Sequence, residues 1–150
     1  MFAARVQHIR ERILPALTAG QIVLCDRFTD STEAYQGGGR KLGSEPVLAL
    51  HRILCGDLWP DLTILMDSDV AASVERARRR NKAQRSGEND ENRFEQENRA
   101  FFGRVHHAYL AIAARETHRV VKVDARGTPD QTHRKIMEVV RRRMKLKNSS

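Results

Sequence analysis

Aromatic residues make up only 5% of the 150 positions, with one tryptophan and two tyrosines. That scarcity argues against a stacking platform for single-stranded nucleic acid, which interleaves rings along a basic groove. The two cysteines, Cys25 and Cys55, are too few for a disulfide framework and lack metal spacing. The six histidines are scattered without ligand spacing and receive no role. No apolar run approaches the roughly twenty residues of a membrane span, and no signal-peptide pattern opens the chain. Neither a membrane span nor secretion is expected, and the setting inferred is cytoplasmic. Also missing is a Gly-x-x-x-x-Gly-Lys-Ser/Thr loop, whose backbone amides and lysine hold donor phosphates. The nearest pattern, Gly38 and Gly43 followed by Ser44, has no lysine and does not directly follow a strand.

What the chain has in excess is positive charge. Its 27 lysines and arginines against 19 acidic residues give a net charge of +8 and a pI near 10.2, which calls for anionic partners. The basic residues concentrate at 76–85 and 141–147. The first cluster suits a phosphate-binding lid and the second a solvated tail. Nucleic acid is expected only as a non-specific partner at low salt. With 40% hydrophobic and 31% charged residues, the composition suits one globular domain with a single core.

The stretch over residues 21–39 organises the chain. Ile22, Val23, Leu24 and Cys25 form a short apolar run after Gly20, which reads as a strand over 22–26 buried on both faces, with Cys25 a core thiol. It ends in Asp26-Arg27, at the strand edge where open α/β sheets bind ligands. Successive strand residues point to opposite faces, so the carboxylate and guanidinium are expected to serve different partners, the alternative being a simple surface pair. Arginine grips phosphate with a planar, permanently charged fork. A polar helical segment follows, capped by Asp30 or Ser31. Tyr35-Gln36 and a side-chain-free loop of Gly37, Gly38 and Gly39 complete a candidate site for a phosphate-bearing small molecule.

Elsewhere the periodicity is plain. Val6, Ile9, Ile13 and Leu17 predict a helix over 2–19, stopped by Gly20 and kinked or split by Pro15. Phe2 and Arg5 share a face of it. A helix over 45–57 is capped by Ser44 before Pro46, with Val47, Leu48, Leu50, Ile53 and Leu54 as its core face. Strands are expected at 62–67 and 120–124. Between them lie a helix from about residue 70, with Val74 and Ala77 inward, a polar stretch at 81–92 and a helix from 93 to about 116. The latter's core candidates are Phe94, Phe101, Phe102, Val105, Tyr109 and Ile112. Thr128, Pro129 and Asp130 open a last helix striped by Ile136, Val139, Val140 and Met144.

Asp26-Arg27-Phe28, then Ser31, then Ala34-Tyr35-Gln36-Gly37 with Gly39-Arg40 together resemble the signature of bacterial thymidylate kinases. The resemblance extends to Phe-Ala-Ala-Arg at the start, PDLTILMD at 60–67, Arg-Ala-x-x-Arg at 76–80, RFEQE at 93–97 and VVKVDA at 120–125. It implies a P-loop NTPase or nucleoside monophosphate kinase-like parallel sheet flanked by helices. It also implies ATP-dependent phosphorylation of dTMP to dTDP, with ATP as donor and Mg2+ as cofactor, and a possible homodimer formed through helix packing. By resemblance Arg27 holds the acceptor phosphate, and Asp26 faces the magnesium or its waters without ligating it directly. Phe2 stacks on thymine and Arg5 bonds its carbonyl, although the family's aromatic more commonly sits where Met1 stands here. The alternative for this pair is a core phenylalanine with a solvated arginine. Tyr35 lies against the deoxyribose, where it would exclude a 2′-hydroxyl. Gln36 lies near the base, and Ser31 or Thr32 lines the pocket.

The same resemblance implies that Arg76, Arg80 and Arg85, in a lid-like segment over about 76–93, close on the donor phosphates and stabilise charge during transfer. The alternative is a solvated helix face. The family carries its phosphate loop and first strand ahead of the Phe-Ala-Ala-Arg helix. The sequence therefore reads as one partial domain lacking the first strand and P-loop, and inactive as it stands. The competing reading is a non-catalytic remnant that binds nucleotides or other polyanions.

Overall fold

A computed structural model describes residues 2–68 and 91–144. The chain divides into two compact units, Met1–Trp59 and Pro60–Ser150. The expected lid, with Arg76, Arg80 and Arg85, lies outside the described residues, as do Val74 and Ala77 of its helix.

The first unit is helical. Residues Phe2–His8 form α1, Ile9–Ile13 a π-helical segment, and Leu14–Thr18 form α2. The helix is thus continuous rather than split. The widened turn lies just where the ring of Pro15 would crowd the carbonyl of Glu11, and a wider turn relieves that clash. Ile9 and Ile13 are buried, whereas Leu17, expected on the same stripe, is exposed. Gly20, at φ 72°, closes the helix: its amide bonds the carbonyl of Leu17 at 2.9 Å, and that of Gln21 bonds Ala16 at 2.9 Å. This paired arrangement satisfies two of the end carbonyls.

The expected strand over 22–26 does not form. Residues 21–25 carry no regular secondary structure, no strand among the described residues pairs with them, and Ile22 and Leu24 are 72% and 99% exposed. An apolar, β-branched run supplies only propensity, and a strand also needs a neighbour to complete its ladder. Cys25 is accordingly half-buried, not a core thiol. Without a pleat, the expected alternation of Asp26 and Arg27 across a strand lapses as well. The two residues form a bend, both exposed.

Residues Thr29–Thr32 form α3, which runs into a second π-helical segment, Glu33–Gly39. Neither Asp30 nor Ser31 caps it: Phe28 holds the cap position and Asp30 is buried inside the first turn. The three glycines are helical, not an open loop. Gly37 explains why small residues stand here, since a Cβ on it would meet the Gly43 carbonyl oxygen at 2.8 Å. The two backbones are joined by Gly43 N–H donating to the Gly37 carbonyl at 3.1 Å.

Helix α4 spans Ser44–Cys55, with Gly43 (φ 82°) rather than Ser44 at its cap position. Its buried positions are Val47 and His51, one turn apart, while Leu50, Ile53 and Leu54 of the expected core face are exposed. The inward stripe is rotated toward the polar residues of α3.

The second unit pairs β1, Thr63–Asp67, in parallel with β2, Val120–Asp124, in the register Thr63↔Val120 through Asp67↔Asp124. Both strands fall where the periodicity put them. A parallel pair needs a crossover, and α5, Glu91–Arg115, lies between them in the chain. Val105, Ile112, Val120 and Val123 are buried where α5 packs on β2. Helix α6, Pro129–Met144, packs on the same strand and half-buries Ile136, Val139 and Val140, whereas Met144 is exposed. It starts with a reciprocal cap: the Thr128 amide donates to Gln131 Oε1 at 2.9 Å, and the Gln131 amide to Thr128 Oγ1 at 3.2 Å. Among the described residues no helix is long and apolar enough to cross a membrane.

Candidate functional site

The first unit gathers two cations. Arg5 projects from α1, and its Cζ lies 5.2 Å from the ring centre of Phe2 and 5.3 Å from that of Phe28. Phe2 and Arg5, three apart on one helical turn, therefore do meet. Arg5 Nη2 donates to the Phe28 carbonyl at 3.1 Å and to Thr32 Oγ1 at 2.9 Å. Its Nη1 is buried and has no hydrogen-bond partner among the described residues. Burial lowers the guanidinium pKa from its ordinary value, against the opposing influence of the nearby thiols of Cys55 and Cys25. Thr32, expected to line a pocket, is buried and accepts from Arg5.

The second cation is Arg27, exposed and with φ 64° in the left-handed region, where a side chain with a Cβ is strained. Its guanidinium carbon stands 5.4 Å from the Tyr35 ring centre, within cation–π range. Ser31, Tyr35 and Gln36 are half-buried on the same helical stretch, and Asp26 is exposed beside Arg27. The Tyr35 carbonyl accepts from the Arg40 amide and that of Gln36 from the Leu42 amide, tying both positions to the turn that follows. An exposed, aromatic-backed guanidinium and a buried one with a spare N–H can bind, respectively, a phosphate and a carbonyl-bearing ring.

Two features escaped the sequence reading. His51 is fully buried, with Nδ1 2.8 Å from Thr29 Oγ1, edge-on to Phe28 and tilted over Trp59 at 4.0 Å between ring centres. Its signal was faint: a polar residue one turn beyond Val47, just after the apolar run from Pro46 to Leu50. In the second unit, His106 Nε2 lies 3.0 Å from Asp67 Oδ1, and Lys122 Nζ lies 3.4 Å from Asp67 Oδ2. The hydrogen bond to His106, with help from Lys122, holds the Asp67 carboxyl below the usual carboxylate range. In the adjacent strand, Asp124 pairs with Arg126 at 2.7 Å and Lys135 at 3.3 Å, and the bonds from Arg126 lower its pKa strongly. Both carboxylates stand at the carboxyl ends of parallel strands. No signal in the sequence tied His106 to a residue 39 positions away.

Among the described residues no group of three or more His, Cys, Asp or Glu is placed to hold a metal ion.

A sequence profile for thymidylate kinase matches residues 1–136. The thymidylate kinase of Desulforapulum autotrophicum is 46% identical over 144 residues, covering 95% of this chain and 62% of the relative. That of Cereibacter sphaeroides is 47% identical over 132 residues, 87% of this chain and 59% of the relative. That of Pelobacter propionicus is 47% identical over 138 residues, 92% and 62%. The chain thus spans about three-fifths of the length of these relatives. A match over most of its residues, on a parallel-stranded α/β framework, means that this chain belongs to the thymidylate kinase family.

Proposed function

We propose that this chain carries the acceptor side of a nucleoside monophosphate kinase that moves the γ-phosphoryl of ATP to dTMP. The observation that carries this reading is Arg5. A guanidinium flanked by Phe2 and Phe28, with one nitrogen committed to Thr32 and Phe28 and the other buried and unsatisfied, is prepared for an acceptor atom. A pyrimidine carbonyl would supply it, with Phe2 against the ring. Arg27 then grips the monophosphate, released from Tyr35 or held along it, and Tyr35 and Gln36 bound the sugar and base. Ser31 lies on the same face.

The donor side is ATP. Mg2+, when bound, neutralises phosphate charge. Its ligands would come mainly from the phosphates, with exposed Asp26 reaching it through water. Arg76, Arg80 and Arg85 act as the lid that covers the transferring group. Because the sequence contains no Gly-x-x-x-x-Gly-Lys-Ser/Thr, the 150-residue chain alone turns over negligibly.

The test is a coupled ATP-plus-dTMP assay on the chain and on the same chain extended upstream in frame, with dTMP binding to each measured by calorimetry. The reading expects binding by both and turnover only by the extended form. Silence and no dTMP binding by folded protein of either length would discard it in favour of a polyanion binder, for which the charge of +8 provides.

A further inference from the structure

The geometry points to His51 as a positioning residue for both cations of the acceptor site, an inference that rests on the reading just given. His51 is fully buried on α4, and its Nδ1 bonds the hydroxyl of Thr29, which is itself fully buried. Thr29 is the first residue of α3. The residue before it, Phe28, offers the carbonyl that fixes Arg5 and presents its ring edge-on to His51 at 6.0 Å. The residue before that is Arg27, held at φ 64°.

A left-handed arginine persists only where its surroundings over-determine the backbone. On the upstream side residues 21–25 form no ladder among the described residues, and the hold there is the weak bond from the Cys25 thiol to the Arg27 carbonyl at 3.6 Å. On the downstream side the hold is the Thr29–His51 bond, together with the stack of His51 on Trp59. The imidazole thus acts through two neighbouring residues. It pins the start of α3, which sets the Phe28 carbonyl for Arg5 and the bend from which Arg27 projects. A leucine of similar bulk would fill the space but could not hold the hydroxyl, leaving it buried and unsatisfied.

The experiment uses the full chain with Thr29→Val, Thr29→Ser, His51→Leu and His51→Asn. Folding is followed by far-UV circular dichroism, dTMP affinity by calorimetry, and the Arg5 and Arg27 guanidinium NMR signals report side-chain order. Thr29→Val and His51→Leu are expected to weaken dTMP binding about tenfold, the weight of one buried hydrogen bond, and to broaden the Arg5 Nη signals. The Ser and Asn variants, which keep a bonding group, should recover most of the affinity and the signals. A merely structural histidine would lower stability while leaving the guanidinium signals and the affinity of the folded protein intact, and that result overturns the inference. If His51→Leu fails to fold, Thr29→Val breaks the same bond at nearly unchanged volume and decides. If the wild-type chain binds no dTMP, the acceptor-site reading fails by itself. The Arg5 signals then still judge whether His51 orders the guanidinium.

Discussion

Over the six residues from Phe28 to Glu33 the first unit buries Thr29, Asp30, Thr32 and Glu33, and it adds His51 from α4. At the ends of its two strands the second unit does the reverse. Asp124, Arg126 and Lys135 pair there in solvent, and Asp67 is only partly covered beside Lys122 and His106. Arg119 is the second unit's exception, buried against Glu116 and Thr63. The difference is one of what polar groups do. A buried hydroxyl or imidazole is fixed in direction and costly to leave unmet, so it specifies geometry. An exposed ion pair is screened and mobile, so it contributes little to stability and must leave cohesion to apolar packing.

That contrast can be broken most forcefully in the second unit. If its cohesion is apolar, Ile112→Ala, at a nearly fully buried position on α5, should cost about 2–5 kcal/mol. Urea unfolding followed by far-UV circular dichroism measures this, and a loss of only a few tenths would mean the surface pairs hold more than supposed.

A smaller and more pointed effect is expected at Arg27 in the first unit. Glycine adopts φ 64° without a Cβ clash, so Arg27→Gly trades relief of about 1–2 kcal/mol of strain against added chain entropy. Stability, followed by the fluorescence of Trp59 during unfolding, should stay within about 1 kcal/mol of wild type. dTMP binding should fall at least about tenfold, as for a lost charged phosphate contact. A markedly destabilised variant whose folded fraction still binds dTMP as tightly as wild type would show that the left-handed bend serves the fold and not the ligand.

The smallest effect belongs to Asp67. Its folded pKa is depressed by His106 and Lys122, so its contribution to stability is present above the ordinary aspartate value near 3.8. That contribution is lost as pH falls through the lower folded value. Asp67→Asn should therefore flatten the acid limb of the stability curve below pH 4, by about 0.2–1 kcal/mol for so exposed a pair. An effect rivalling that of Ile112→Ala would erase the contrast between the units.

The parts of the molecule legible in the sequence are those whose cause is local. The helix from Phe2 to Thr18 and its glycine stop, the strands at 63–67 and 120–124, and the Thr128–Gln131 cap all follow from period, propensity and spacing within a few residues. Phe2 and Arg5 were paired on one face for the same reason. What failed to read through depends on distant partners. Residues 22–25 look like a strand in isolation, but strand identity is conferred by a neighbour. His51 and Thr29 are 22 positions apart, and His106 and Asp67 are 39, so no window joins them. The π-helical segments have no periodic signature, and one of them takes in the glycine run that the pattern suggested as a loop. For the site itself, residue types were legible and their mutual contacts were not: no spacing in the sequence specified that Tyr35 backs Arg27 or that Thr32 accepts from Arg5.

The irregular segment over residues 21–25 has a practical side. Leu24 and Ile22 stand in water on a backbone whose amides and carbonyls, past that of Gln21, enter no ladder among the described residues. A short, exposed, β-branched stretch of this kind is a template for strand addition by whatever extended chain it meets, another copy included. Self-association during refolding should therefore begin at this segment, rise steeply with protein concentration, and yield to a lysine placed at Leu24.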